Sequence, residues 1–245
     1  LIEFETIRGR AVMRLESVTS GFGRWLLPPV CLICGQRARE GLDCCSGCAA
    51  DLPVIDSQCH SCGLAMPAPT HACGRCTRRP PAFDRTWPGF AYAGPIERLV
   101  HRFKFHHDLA AGRVLAGLCA RRLAAIGAPR PQALVPVPLH WRRHLWRGFN
   151  QSRMLAEDLS GFLGGIPVAP LLSRSRATPA QSGLPAASRG ANVRNAFRAH
   201  LPACRPRHVA LVDDVMTTGT TLDACARALK KTGIERVDVW VVARA

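Results

Sequence analysis

Val209-Ala-Leu-Val-Asp-Asp-Val-Met-Thr-Thr-Gly-Thr-Thr221 runs from four apolar residues through two adjacent acids into a loop of small hydroxyl residues and one glycine. A helical pattern follows at once, from Leu222 to about Lys231. A strand that ends in carboxylates and opens onto a helix N-terminus sets two chemistries side by side. Asp213 and Asp214 are acceptors suited to a pair of ribose hydroxyls. The backbone N–H groups of Thr217, Thr218, Gly219, Thr220 and Thr221 can form an anion-binding nest, and the helix dipole adds positive potential there. No lysine sits in the loop, so it lacks the Gly-Lys-Ser/Thr pattern of nucleoside triphosphate loops.

Outward from this stretch, strand and helix patterns alternate. Phe90-Ala-Tyr92, Ala133–Val137, Val209–Val212 and Val237–Val242 read as strands, and Ile96–Phe105, Leu109–Ile126 and Gln151–Phe162 as helices. That alternation predicts an α/β domain with a mostly parallel sheet and helices on both faces. Ligands of such sheets gather at the C-terminal strand ends, where the Asp213–Thr221 loop would lie.

The N-terminal part has a different character. Nine of the twelve cysteines fall between positions 31 and 76, in the pattern Cys31-x2-Cys34-x10-Cys45-x2-Cys48 and again Cys59-x2-Cys62-x10-Cys73-x2-Cys76, offset by 28 residues. Gly35 and Gly63 occupy equivalent places just after the second cysteine of each unit. Two facing CxxC knuckles supply four thiolates for a closed tetrahedral site, so the repeat predicts two sequential, structural Zn2+ sites rather than a disulfide framework. Cys44 has no counterpart, because position 72 is alanine, and is excluded. His60 and His71 read as non-ligating, and Cys119, Cys204 and Cys225 as ordinary buried residues. So short a segment cannot build its own hydrophobic core and needs metal to fold.

The formal charge of +16 is uneven: residues 1–82 hold 9 Lys/Arg against 7 Asp/Glu, and residues 83–245 hold 24 against 10. A domain so basic attracts polyanions whatever its specificity. No apolar run is long enough to span a bilayer, and the first thirty residues do not read as a signal peptide, so a cytoplasmic location is expected.

The hydrophobic strand, two acids, two variable residues, Thr-Thr-Gly and two small residues of Val209–Thr221 resemble the phosphoribosyl pyrophosphate (PRPP) signature of type I phosphoribosyltransferases. That resemblance implies that Asp213 and Asp214 hold the ribose hydroxyls, that Thr217, Thr218, Gly219, Thr220 and Thr221 hold the 5′-phosphate, and that Mg2+ accompanies PRPP. Further segments match one subfamily: Pro136-Val-Pro-Leu-His140, Arg147-Gly-Phe-Asn-Gln151, and Arg174-x-Arg-x-Thr-x2-Gln-x2-Leu184 followed by Arg189-x2-Asn-Val193 and Ala196-Phe197. With Phe103-Lys-Phe105 and the double cysteine unit, the chain resembles the ComF family from about Leu27 to Arg244. The resemblance implies a type I phosphoribosyltransferase-like domain (residues 83–245) behind a double zinc ribbon (27–82) and an N-terminal extension (1–26). It also implies a link to DNA uptake in natural transformation.

On that reading Val137, Pro138, Leu139 and His140 occupy the place of a pyrophosphate loop. Residues 173–195 are long and weakly patterned, and read as a flexible lid whose Arg174, Arg176 and Arg189 could reach the pyrophosphate. His140–Phe149 interleaves Trp141, Trp146 and Phe149 with Arg142, Arg143 and Arg147, a pattern suited to stacking bases and holding the backbone of single-stranded DNA. Two functions follow as expectations. One is a PRPP-binding protein of DNA uptake or processing, with single-stranded DNA and other DNA-uptake proteins as partners. The alternative is an active phosphoribosyltransferase of nucleotide salvage or metabolism, acceptor unspecified. No base-recognising hood follows the last predicted strand, which favours the first.

Overall fold

In the computed structural model of the chain, residues 29–38, 41–139, 149–174, 196–200 and 205–245 are described. Two short helices, α1 (Ser46–Ala50) and α2 (Gly74–Arg78), belong to the cysteine units. After them come β1 (Arg85–Ala91), α3 (Gly94–Phe105), α4 (Leu109–Ala125), β2 (Ala133–Pro136) and α5 (Gln151–Phe162). The remaining elements are β3 (Leu172–Arg174), β4 (Phe197–Ala199), β5 (His208–Met216), α6 (Thr220–Lys230) and β6 (Arg236–Arg244).

Four strands form one parallel sheet in the order β1-β6-β5-β2, and β3 pairs antiparallel with β4 apart from it. The central strands alternate between two cores with the period of two that a pleated strand imposes. Ala210, Val212, Trp240 and Val242 pack with Leu99, Leu115 and Leu155 of α3, α4 and α5. Val209, Leu211, Val237 and Val239 pack on the other side with Leu222 and Leu229 of α6 and with Leu172 and Phe197 of the small sheet. Covered on both faces, β5 and β6 each carry an unbroken apolar run, Val209–Val212 and Val239–Ala243, as buried parallel strands require.

The 28-residue repeat of the sequence is a repeat of structure. The bridge Val30↔Arg37 recurs as Gln58↔Ala65. The hydrogen bond from Cys31 N to Gln36 O (2.7 Å) recurs from Cys59 N to Leu64 O (2.9 Å). Gly35 and Gly63 both stand at positive φ, 77° and 69°, where each chain doubles back. The two copies dock differently. Cys31, Leu42, Cys44 and Leu52 join the core under α3 and α4. Cys59, Cys62, Cys73 and Cys76 join the core under α6.

The segment between and within these units also covers the free edge of β1. His60 O accepts from Thr86 N at 3.0 Å, and Pro53 O accepts from Ala91 N at 2.8 Å. Between them lies Pro88, which has no N–H to offer and is tolerated only at a sheet edge. Arg244, 7% exposed, donates from Nε to Cys62 O (2.9 Å) and from Nη1 to Met216 O (3.0 Å), which ties the second cysteine unit to the end of β5.

The α5 boundaries coincide with the sequence expectation and β2 ends one residue short of it, while β1, β5 and β6 are longer than expected. β5 runs through both acids to Met216, because its ladder with β6 continues past them to the pair Met216↔Arg244. β1 begins five residues before Phe90, where pairing with Asp238 starts. Ser173 and Arg174, expected at the start of a flexible loop, form a strand instead: β3 pairs with β4 from Leu172↔Ala199 to Arg174↔Phe197.

Asp238, fully buried in β6, accepts from Arg236 Nη2 (3.0 Å) and Trp87 Nε1 (3.3 Å) and lies 3.2 Å from His208 Nε2. Burial opposes its ionisation, but His208 and Arg236 outweigh that and hold the carboxyl below its usual range. Such a group stabilises the fold at neutral pH and loses that contribution as pH falls through its depressed pKa. Asp238→Ala leaves the buried Trp87 Nε1 without an acceptor and the partly exposed His208 and Arg236 without their carboxylate, and should cost about 2 kcal/mol in urea unfolding at pH 7.

Candidate functional site

In each cysteine unit four sulfurs converge. The Sγ atoms of Cys31, Cys34, Cys45 and Cys48 lie within 4.8 Å of one another, as do those of Cys59, Cys62, Cys73 and Cys76. Cys34 and Cys45 are 3.7 Å apart and Cys62 and Cys73 3.8 Å. Sulfurs bound about 2.3 Å from a tetrahedral zinc ion are about 3.8 Å apart, so both sets have the spacing of closed structural zinc sites. Backbone N–H groups face the thiolates, from Cys48 to Cys45 Sγ (3.4 Å) and from Cys73 to Cys59 Sγ (3.1 Å). The sites differ in exposure: all four ligands of the second are buried, while Cys34 of the first is open. Cys44 belongs to neither set; burial and the neighbouring thiols push its pKa up to about 11. His60 and His71 stand beside the second set with ring centroids 6.3 Å apart and contribute no ligand atom to it.

The second assembly lies at the C-terminal end of β5. Asp213 and Asp214 are followed by Thr217, Thr218 and Gly219, and Gly219 caps α6 with φ 74°. A Cβ there would meet only the flexible end of Met216 (Cε at 2.5 Å), so it is the left-handed φ that calls for glycine. Thr218 Oγ1 and Thr220 Oγ1 lie 2.9 Å apart across the loop. Ser152 Oγ, near the start of α5, donates to Asp213 Oδ1 at 2.8 Å, and Lys104 Nζ, on α3, lies 2.8 Å from Asp214 Oδ1. Asn150 caps α5, its Oδ1 accepting from Ser152 N (3.1 Å), while its Nδ2 donates to Val137 O (3.2 Å). One capping residue thus joins the end of β2 to the group that orients Asp213.

Two carboxylates share one ammonium. Burial, then the adjacent Asp214, push the Asp213 pKa up to about 7 against the opposing pull of Lys104 and Ser152. Lys104 shows the converse balance: burial opposes its charge, but Asp214 and Asp213 outweigh it and hold its pKa above the ordinary value.

A Double zinc ribbon domain model matches residues 22–77, and a Phosphoribosyl transferase domain model matches residues 150–245. DNA utilization protein YhgH of Salmonella typhi is 37% identical over 223 residues, which is 89% of this chain and 98% of that protein. Competence protein F of Haemophilus influenzae is 36% identical over 216 residues, 85% of this chain and 92% of the relative. The chain belongs to the ComF family. Among solved structures, the purine phosphoribosyltransferase from Pyrococcus horikoshii aligns at 20% identity with a TM-score of 0.33, covering 55% of this chain and 73% of that one.

Within this ComF-family chain the structure brings Asp213, Asp214, Thr217, Thr218, Gly219, Thr220 and Thr221 together around one strand end. Val137 extends the β2 ladder, its N–H donating to Val212 O at 3.1 Å, and Pro138 and Leu139 follow it, half-buried. Arg174 lies in β3 with its guanidinium 5.4 Å from the centroid of the Phe197 ring. His140, Trp141, Arg142, Arg143, Arg147, Arg176 and Arg189 lie outside the described residues. Sequence reading missed Lys104, Ser152 and Asn150 as site residues. Lys104 carried a signal, being one of three lysines in the chain and flanked by two phenylalanines on a helix. Asn150 lay in the segment Arg147–Gln151 that carries the family resemblance, whereas Ser152 carried no signal beyond its place at a helix start.

Metal analysis should find two zinc ions per chain, falling to one in Cys48→Ser or Cys76→Ser. Unchanged stoichiometry in either variant would reject the assigned ligand set. A raised carboxyl pKa contributes stability at low pH that is lost as pH rises through about 7. Asp213→Asn, which cannot ionise, should therefore raise Tm by a few degrees at pH 8 and by progressively less as pH falls towards the ordinary carboxyl pKa of about 4.

Proposed function

We infer that the chain binds PRPP at the end of β5 and acts in DNA uptake or processing. The carrying observation is the acid pair near the C-terminal end of β5, followed by the left-handed Gly219, which opens α6. Asp213 and Asp214 accept the ribose hydroxyls, and Ser152 and Lys104 fix the direction in which their free oxygens point. The N–H groups of the loop and of the first turn of α6 take the 5′-phosphate, where the helix dipole favours negative charge. Mg2+, a hard cation suited to oxygen donors, would enter with PRPP and neutralise its pyrophosphate. If a transfer to an acceptor occurs, the groups at hand supply positioning and electrostatics rather than a nucleophile.

The DNA part of the reading is supported by the relatives, whose names refer to DNA utilization and competence. It is supported also by charge, since residues 83–245 carry 24 cations against 10 carboxylates. No helix among the described residues is long and apolar enough to cross a membrane.

Calorimetric titration with PRPP and Mg2+ tests the site. Wild type should bind, and Asp213→Asn with Asp214→Asn should weaken binding by at least about tenfold, as loss of charge-assisted hydrogen bonds requires. An unchanged affinity in the double variant would remove these residues from the site. Binding of single-stranded DNA should survive the same substitutions.

A further inference from the structure

A cleft of about 800 Å³ lies between the second zinc unit and α6, lined by both and by the Thr218–Thr220 loop. One wall carries Arg75, in α2, and Arg79 at its C-terminal cap; the other carries Arg227 and Lys231 of α6 and its cap. All four are exposed, and Asp223 is the one carboxylate among the lining residues. The members of each pair are four residues apart in the chain, about one helical turn. Arg79 and Lys231 have no ion pair among the described residues.

The cleft is held open by fixed contacts. Asp223 Oδ1 accepts from Ala82 N at 2.7 Å and Oδ2 from Arg227 Nε at 3.0 Å, so the linker wall and the helix wall share one carboxylate. Arg75 Nη2 donates to Thr218 O at 2.6 Å, which joins the zinc wall to the phosphate loop. The phenylalanines of the floor, Phe83 and Phe197, are 4% and 7% exposed and so cannot stack with a base.

We propose that this cleft holds the phosphodiester backbone of single-stranded nucleic acid, with Arg79 and Lys231 each neutralising a phosphate. Two cationic walls around an open channel track a backbone, whereas reading bases would need exposed aromatic faces, and the floor offers none. Binding is therefore indifferent to sequence and steeply dependent on salt. Through Arg75 the strand sits beside the loop assigned to the 5′-phosphate, so occupancy of the two sites is coupled. The proposal rests on the DNA reading above and assigns it to residues other than those of the 140–149 segment.

Fluorescence anisotropy with a labelled oligo-dT of about 20 nucleotides, long enough to span such a channel, tests it across a salt series. Arg79→Ala with Lys231→Ala should weaken binding about tenfold near physiological salt and lower the log–log salt slope by about 1.4, at about 0.7 per lost phosphate contact. PRPP affinity and zinc content of the variant should match wild type within twofold, which separates a binding defect from misfolding. Oligo-dA should bind as oligo-dT does, and polyglutamate should compete poorly. If wild type binds no oligonucleotide, the DNA reading itself fails. If wild type binds and the variant binds equally with the same slope, the cleft is wrong and the DNA reading stands. Loss of PRPP binding alone would assign these cations to the small ligand and overturn the proposal, and polyglutamate outcompeting the oligonucleotide would do so in favour of an acidic peptide.

Discussion

Closure of four sulfurs around one ion is the constraint on which the second half of the molecule leans. Residues 59–76 have too few apolar side chains to hold a shape alone, and metal coordination supplies the folding energy that burial cannot. Once closed, the unit presents fixed groups to its neighbours. The His60 carbonyl faces the edge of β1, the Cys62 carbonyl faces Arg244, and Arg75 reaches the Thr218 carbonyl. A metal held by these four sulfurs would thus set the position of a loop on which no cysteine lies.

Electrostatics at the strand end works against stability and for binding. Two adjacent carboxylates share Lys104, and the strain shows as the raised pKa of Asp213. Two acids held side by side at one strand end cost the fold stability, a compromise common where function and stability compete. Ser152 and Lys104 come from α5 and α3, so the two helices on one face of the sheet set the direction of the acids on a third element.

Much of this was legible in the chain itself. The cysteine repeat predicted both ligand sets and excluded Cys44, because metal spacing is local: each unit closes over a few turns of backbone. The β5 loop was legible for the same reason. What sequence reading missed comes from afar. Lys104 meets Asp214 across 110 positions, and Arg75 meets Thr218 across 143, and no periodicity announces such a meeting. Strand lengths failed on physical grounds too. An acid lowers the local propensity for a strand, yet Asp213 and Asp214 stay in the ladder because β6 continues to pair beside them. The three-residue strands β3 and β4 are too short to carry an alternation at all.

The strand order β1-β6-β5-β2 also dictates a timetable for synthesis. Both edge strands leave the ribosome before either central strand, and β1 and β2 do not pair with one another. Until β5 emerges the nascent chain holds two apolar strands with no partner and helices with no sheet to cover, a state open to aggregation. The cysteine units alone are complete by then, since their ligands span residues 31–76. A growing chain of this fold therefore carries a metal-closed head long before it has a body, and the last strands slide between partners already made.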